Sequence, residues 1–368
     1  MSTDPAATSE AWGALVEGLR AAGEQLEADT AGLGPEVRAD GYRALVRALN
    51  NQLGRFEVDR DRAELVPFNG WREKMFMDNP DFRYWVADIR DSRRYRISGA
   101  VGDAVYTSIT VYSRSGGIDA AAATSRIDSD SLAVDAAGRF TVTLSPDDAG
   151  DGPAEGGDWL PLPEGATAVW VRQFHYDAAR DRLGWCRIDP VDELDVPPGI
   201  EPDTFGRHLT RLGHSIAAFP AIFSASVRDD LAHPNEVRHW SEMVGGAGFT
   251  EPNIHYLRGA WQLDDGEALV IEGHPPPSRY WNVLLYSRFL NSLDHRSRPV
   301  TLTDGRAHLV DGRYRLVISA SDPGGAGDWL DTEGRDFGLF VFRFLQPEHE
   351  PELPSVRRYR VDELLEDT

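Results

Sequence analysis

Apolar positions recur along the chain in two rhythms. Over residues 9–56, Trp12, Leu15, Val16, Leu19 and Leu26 are spaced by threes, fours and their multiples. After Gly32-Leu33-Gly34-Pro35 the same spacing returns in Tyr42, Leu45, Val46, Leu49 and Leu53. Such spacing gathers the apolar side chains on one helical face, so helices are predicted on either side of the Gly-Pro break. A second helical block is predicted over about 203–243, where Phe205, Leu209, Leu212, Ile216, Phe219, Phe223, Val227 and Leu231 form one stripe. Pro220 should kink it, because proline lacks the backbone donor. Elsewhere the period is two. Val169, Val171, Gln173 and His175 face one way, and Trp170, Arg172, Phe174 and Tyr176 the other. Residues 93–190 and 259–346 share this alternating texture, broken by Gly, Asp and Pro turns, as half-buried strands do.

The two β-rich stretches repeat one another. Shifting the chain by 174 positions puts Ile97-Ser98-Gly99 on Ile271-Glu272-Gly273 and Tyr106 on Tyr280. The same shift aligns Tyr112-Ser113-Arg114 with Tyr286-Ser287-Arg288, Gly138-Arg139-Phe140 with Gly312-Arg313-Tyr314, and Ser145 with Ser319. After a small length difference, Gly157-Asp158-Trp159-Leu160 matches Gly327-Asp328-Trp329-Leu330, and each is followed by an aromatic strand bearing one arginine, Arg172 or Arg343. Register kept over dozens of residues indicates an internal duplication. The expected layout is a helical N-terminal region (1–90), a first β copy (91–195), a helical connector (196–258), a second β copy (259–347) and a C-terminal tail (348–368).

The run Asp158-Trp159-Leu160-Pro161-Leu162-Pro163, followed by the Arg172 strand, resembles the N-W-L-P-x-P hallmark of the domain-of-unknown-function family twelve-fourteen. Pro276-Pro277-Ser278-Arg279-Tyr280-Trp281-Asn282-Val283-Leu284-Leu285-Tyr286 is similar to its P-P-x-x-[FY]-W-S-x-x-x-Y strand. Asp322-Pro323 with Asp328-Trp329-Leu330-Asp331-Thr332 resembles a D-P-G-x-x-N-W-L-D-T variant, and Asp78-Asn79-Pro80-Asp81 with Tyr84 an N-terminal companion motif. The likeness covers most of 75–346, with Asp158 and Asp328 standing where Asn is usual. It implies a mainly β chain with two jelly-roll-like antiparallel β-sandwich domains, in a family often paired with the twelve-fifty-four family. It implies no reaction.

The repeated positions look structural. Trp159 and Trp329 can plug one end of a sandwich while the indole N–H meets a carbonyl. Arg172 and Arg343, if buried, need a carboxylate each, and Asp158 and Asp328 are the expected partners. Carboxylate pairing is likewise expected for Arg114 and Arg288, and for Arg139 and Arg313.

Charge and composition narrow the functions. The chain has 368 residues, more than one core supports, so two domains are expected, or three at most. Its 38 basic against 60 acidic residues give a net charge of −22, which argues against nucleic acid or an anionic membrane as partner. Lys74 is the only lysine and Cys186 the only cysteine. No lysine follows a glycine-rich loop, which excludes a P-loop. A single thiol excludes disulfides, CxxC chemistry and multi-cysteine zinc sites. The first residues lack a secretory leader pattern and no apolar run reaches membrane-spanning length, so a cytoplasmic protein is expected.

Candidate chemistry is sparse. Gly213-His214-Ser215-Ile216-Ala217 has the look of a nucleophile elbow but lies inside a predicted helix rather than after a strand. His208 and His214, like His233 and His239, are six apart and fall on different helix faces. Glu236 and His239 have the E-x-x-H spacing of di-iron bundles, without a second copy. No metal or other cofactor is predicted, although a His/carboxylate site assembled from distant strands is compatible with the spacing. Divergence between the copies offers another lead. Trp281 and Asn282 replace Thr107 and Ser108, His274 replaces Ala100, and Asn291, Asp294 and His295 stand where copy one has Gly117, Ala120 and Ala121. With His255 and Tyr256 just upstream, these residues could line a pocket. His295, Asp294 and His255 would be acid–base groups; Trp281, Asn282, Tyr256, Asn291 and His274 would hold a ligand. The competing reading makes Asp294-His295 an exposed turn. Two functions remain: binding or turnover of a small, largely apolar organic molecule in or between the β-domains, or a structural, carbohydrate- or partner-binding tandem sandwich. Homo-oligomerisation is left open.

Overall fold

The computed structural model of the chain describes residues 5–114, 121–146, 157–197, 199–242 and 251–366. Helices α1 (Pro5–Asp29), α2 (Pro35–Leu53) and α3 (Pro202–Ser226) form a layer, followed by the short α4 (Arg228–Ala232). Pro35 and Pro202 sit in the first helical turns, where the missing N–H costs nothing. The buried face of α1 is not the predicted one. Ala11, Leu15, Ala22 and Leu26 are buried, whereas Trp12, Val16 and Leu19 are exposed. Close packing against α3 decides this. A Cβ on Gly18 would lie 2.2 Å from the carbonyl oxygen of Gly213, and one on Gly213 2.7 Å from that of Ala14. The helices approach so closely that their small residues must face each other. Gly213 is therefore a crossing residue within α3. The α3 stripe of Leu209, Leu212, Ile216, Phe219 and Phe223 is buried as its periodicity predicts.

Strands β1 (Val66–Phe68), β2 (Phe82–Asp88), β3 (Tyr95–Gly102), β4 (Tyr106–Arg114), β5 (Ala121–Asp128), β6 (Arg139–Ser145), β7 (Asp158–Pro161), β8 (Ala166–Phe174) and β9 (Leu183–Pro190) build the first sandwich. One sheet has the order β1-β2-β8-β4-β5 and the other β7-β6-β3-β9. Strands β10 (Val237–His239), β11 (Ile254–Gln262), β12 (Glu267–Gly273), β13 (Tyr280–Tyr286), β14 (Thr301–Thr303), β15 (Leu309–Val310), β16 (Arg313–Ser319), β17 (Asp328–Asp331), β18 (Phe337–Leu345) and β19 (Ser355–Arg360) build the second. Its sheets run β10-β11-β18-β13-β14 and β15-β16-β12-β19, with β17 parallel to β16 as β7 is to β6. The two topologies correspond strand for strand, except that β15 has no counterpart among the described strands of the first sandwich. The chain is thus mainly β, a duplicated pair of jelly-roll-like sandwiches with helical segments, and α5 (Val361–Glu366) closes it.

The sandwiches reach beyond the expected limits. β1 and β2 precede residue 91, β10 and the start of β11 lie in the expected connector, and β19 lies in the expected tail. These are edge or lead-in strands, recruited by backbone pairing to a sheet built from distant sequence, so their own short patterns carry little signal. Each sandwich encloses its own core, represented by Ile97, Val142, Val169 and Val171 in the first and Ile271, Val283, Leu316 and Phe342 in the second. A third cluster joins the two. Outer-face residues Val86, Tyr112 and Trp170 of the first sandwich and Leu284, Tyr286 and Val341 of the second pack under α1 and α3. The matched Tyr106 and Tyr280 meet at the junction with Phe82, Phe174 and Leu345.

Candidate functional site

Beneath the helical layer, where it spans the outer faces of the two five-stranded sheets, lies a cavity of about 1170 Å³. Phe56, Phe76, Met77, Leu212, Phe219 and Ile222 form apolar walls, while Tyr84, Tyr112, Trp170 and Arg172 come from the first sandwich and Tyr256, Arg258 and Arg343 from the second. The duplication explains this symmetry. Tyr84 lies directly opposite Arg172 across β2 and β8, and Tyr256 directly opposite Arg343 across β11 and β18. Directly opposed residues share a sheet face, so each copy presents a tyrosine–arginine pair to the same space. Tyr112 and its counterpart Tyr286 complete each set, accepting from Arg172 Nη2 at 3.1 Å and from Arg343 Nη2 at 2.8 Å.

The two arginines differ in their counter-charge. Arg172 Nη1 donates to Glu251 Oε2 at 2.8 Å, and the same carboxylate takes Arg126 Nε at 3.1 Å. Arg172 also stacks on Trp170, 4.9 Å from the ring centroid. Arg343 Nη2 reaches only Tyr286 and the carbonyl of Met77 at 3.2 Å. Among the described residues its buried Nη1 has no hydrogen-bond partner and no carboxylate forms an ion pair with Arg343, which is 5% exposed. Burial works against the charge of Arg343, and the Tyr286 hydroxyl, accepting its hydrogen bond, helps hold the group charged. Burial in turn pushes the Tyr256 hydroxyl up to about 12 and that of Tyr84 higher still, so both are neutral phenols at physiological pH. Trp240 contributes a further donor: its ring stands 5.3 Å from Tyr256, and its buried Nε1 has no partner among the described residues.

Of the other wall arginines, Arg258 pairs with Asp230 at 2.6 Å and Arg55 with Asp88 at 2.6 Å, while Arg60 and Arg211 are exposed. Ser215 also lines the cavity, where its Oγ meets Gln52 Oε1 at 3.5 Å rather than a base. The arrangement supplies fixed charge, phenolic donors and aromatic surface. It supplies recognition more than bond-making.

The profile of the family described as "Protein of unknown function (DUF1214)" matches residues 87–177 and 262–349, one segment in each sandwich. The chain is a tandem member of the DUF1214 family. A solved structure of an uncharacterised protein from Burkholderia cenocepacia is similar over 96% of this chain and 97% of that one, with a TM-score of 0.87 and 24% identity. That likeness shows the fold. The VPA0106 protein from Vibrio parahaemolyticus aligns over 96% of this chain and 100% of its own with a TM-score of 0.49 and 12% identity. No curated protein matches the chain.

The DUF1214 hallmark aspartates do not hold the strand arginines. Asp158 Oδ2 accepts the backbone N–H of Ala133 at 2.7 Å, and Asp328 Oδ2 that of His308 at 2.8 Å. A side-chain oxygen is all that this bond requires, and Asn supplies it as well as Asp. Arg172 and Arg343 point away, toward the helical layer, so the expected pairing with these aspartates is corrected. Trp159 and Trp329 are half-buried, their indole N–H groups donating to Ser145 Oγ at 2.8 Å and to the Ser319 carbonyl at 3.2 Å. Of the other matched arginines, Arg313 lies 3.5 Å from Glu272, whereas Arg288 stands 5.5 Å over the Phe337 ring. The side chain of Arg114 lies outside the described residues, as do Gly117 and Ala120.

The residues singled out by divergence between the copies do not converge. Trp281 is buried in the second core against Tyr314 and Phe344. Asn282, next along the strand, faces outward, and its amide is held by Asn79 and Asp81 at 3.3 Å each. Asn291 accepts from Arg47 at 3.4 Å, His274 is exposed beside the Gly312 carbonyl, and His255 is exposed at the start of β11. His295 packs on Trp71 at 5.2 Å; burial and the nearby Lys74 press its pKa to about 4. Asp294 caps the backbone of Arg296 at 3.0 Å. Only Tyr256 of these eight lines the cavity. Alternation is the reason: sequence neighbours on a strand point to opposite faces. Lys74 is a structural clasp, donating to the carbonyls of Ser292 and Leu293 at 2.8 and 2.9 Å. Among the described residues no group of three or more His, Cys, Asp or Glu side chains is placed to hold a metal, and no helix is long and apolar enough to cross a membrane. Glu251 and Trp240 were not reachable from motifs, and Tyr84 stood in the N-terminal companion motif without a sign of its place beside Arg172. The arginine on an apolar strand, repeated in both copies, was the signal that could have led to them.

Proposed function

We propose that the protein binds a small, largely apolar organic molecule in the cavity between the helical layer and the two outer sheets. The observation that carries this reading is the cavity itself, about 1170 Å³, with aromatic walls drawn from both copies and a few convergent polar groups. Ligand sites in proteins have this composition, and about 300–1,000 Å³ suffices for most small molecules. Binding is the part the geometry supports. Turnover through His255, Asp294 and His295 has no such support, since none of the three lines the cavity. A cytoplasmic setting belongs to this proposal, in keeping with a lone free cysteine.

Native mass spectrometry of the protein purified from its own cells tests the reading, together with titration of the neutral dye Nile red. Saturable dye binding that weakens several-fold in Trp170→Ala is the expected result. Dye binding unchanged by that substitution, with no retained ligand, would instead favour a structural or surface-binding role.

A further inference from the structure

Arg343 stands on β18 with its counterpart in the other copy neutralised and itself not. A buried guanidinium without a counter-charge is costly, and proteins retain one where something else supplies the negative partner. Here Nη2 is occupied by Tyr286 and Met77, and Nη1, which has no partner among the described residues, belongs to a side chain that lines the cavity. We propose that the ligand of this cavity is an organic carboxylate whose oxygens bind Arg343 Nη1, with the apolar body of the ligand lying along the aromatic walls.

This inference rests on the cavity reading above and adds the chemical class. Three features favour a carboxylate over a more highly charged phosphate. Among the described residues Arg343 is the buried wall cation without a carboxylate, because Arg172 and Arg258 each hold one, and Arg60 and Arg211, which line the cavity without an ion pair among those residues, are exposed. Neutral phenols stand close by: the Arg343 guanidinium carbon lies 5.7 Å from the Tyr256 ring. Such hydroxyls donate to a carboxylate without adding charge. The Trp240 indole N–H, next to Tyr256, is a second buried donor without a partner among the described residues. The strongly acidic chain would also repel anions at its surface, so an anion admitted here must be paid for by a specific contact.

The test uses matched probes on the intact chain: phenylacetate, indole-3-acetate and decanoate, each against its neutral amide or alcohol, by isothermal titration calorimetry. The acids should bind roughly 10- to 100-fold more tightly than their neutral partners, as a charge-assisted bond in a desolvated site provides. In Arg343→Gln that preference should vanish while the neutral probes bind as before. Should Arg343→Gln fail to fold, the acid-versus-neutral difference in the unaltered protein still decides, and its persistence in Arg343→Lys with reduced size is expected. Equal binding of acids and neutral partners would overturn the carboxylate assignment and leave the cavity reading intact. Binding of no probe from either set would overturn both.

Discussion

Arg172 and Arg343 occupy the same place in two copies of one sandwich, opposite Tyr84 and Tyr256, and each touches the matched Tyr112 or Tyr286. Around Arg172 the chain supplies Glu251 at 2.8 Å; around Arg343 it supplies a phenol and a carbonyl. Duplication preserved the cation and the hydroxyls, and the connecting segment that brings Glu251 serves only one of them. Divergent positions such as His274, Trp281 and His295 serve local packing and turns, whereas the tyrosine–arginine pairs at the cavity are positions the copies still share. What differs is the partner supplied from outside the repeat.

The sharpest way to break the comparison is to remove each arginine in turn. Arg172→Met strands a buried carboxylate, and should cost about 3–5 kcal/mol in urea unfolding, less to the extent that Arg126 holds Glu251. Arg343→Met strands no carboxylate and should cost less than about 1 kcal/mol. Equal losses would mean that the two sites are not electrostatically distinct.

A second comparison concerns the matched Gly99 and Gly273, which let an aromatic ring lie over the strand. A methyl group on Gly99 would fall 2.5 Å from both the Phe140 ring and the backbone oxygen of Trp185. On Gly273 it would meet the Tyr314 hydroxyl at 2.6 Å and the Pro354 side chain at 3.1 Å. Backbone yields less than a side chain, so Gly99→Ala should cost about 2 kcal/mol and Gly273→Ala about 1 kcal/mol. The reverse order in thermal unfolding would show that the first sandwich is the more compliant.

The smallest effect lies at the hallmark aspartates. Asp328 caps His308 and also bonds its ring nitrogen at 2.6 Å, while Asp158 caps Ala133, which has no ring. The bond from Asp328 raises the pKa of the exposed His308. A raised histidine contributes stability that is fully present below its unfolded value near 6.5 and is lost as pH rises through the folded pKa. The His308 resonance should therefore titrate with a midpoint above about 6.5, and Asp328→Asn should bring it back down. A midpoint at the ordinary value in the unaltered protein would remove this difference between the copies.

Much of the fold is legible in the sequence alone. The period-two texture of 93–190 and 259–346 and the 174-residue repeat led to two sandwiches of one topology, and the DUF1214 motifs agreed. The α3 stripe was legible too. The face of α1 was not, because Trp12, Val16 and Leu19 are more apolar than the Ala and Gly that a close helix crossing selects. The site was legible only as its raw material. Arg172 and Arg343 stood out in the sequence, but their partners were sought in the nearest motif, at Asp158 and Asp328.

The amino-acid sequence by itself thus determined the repeat, the sandwich class and the identity of the two strand arginines, since alternation and register are local properties that survive in one dimension. Only the tertiary structure decided what those arginines face. Glu251 lies 79 residues from Arg172, and Met77 lies 266 residues from Arg343. Electrostatic partnership depends on distance in space, and no spacing rule reports it across two sheets and a helical layer.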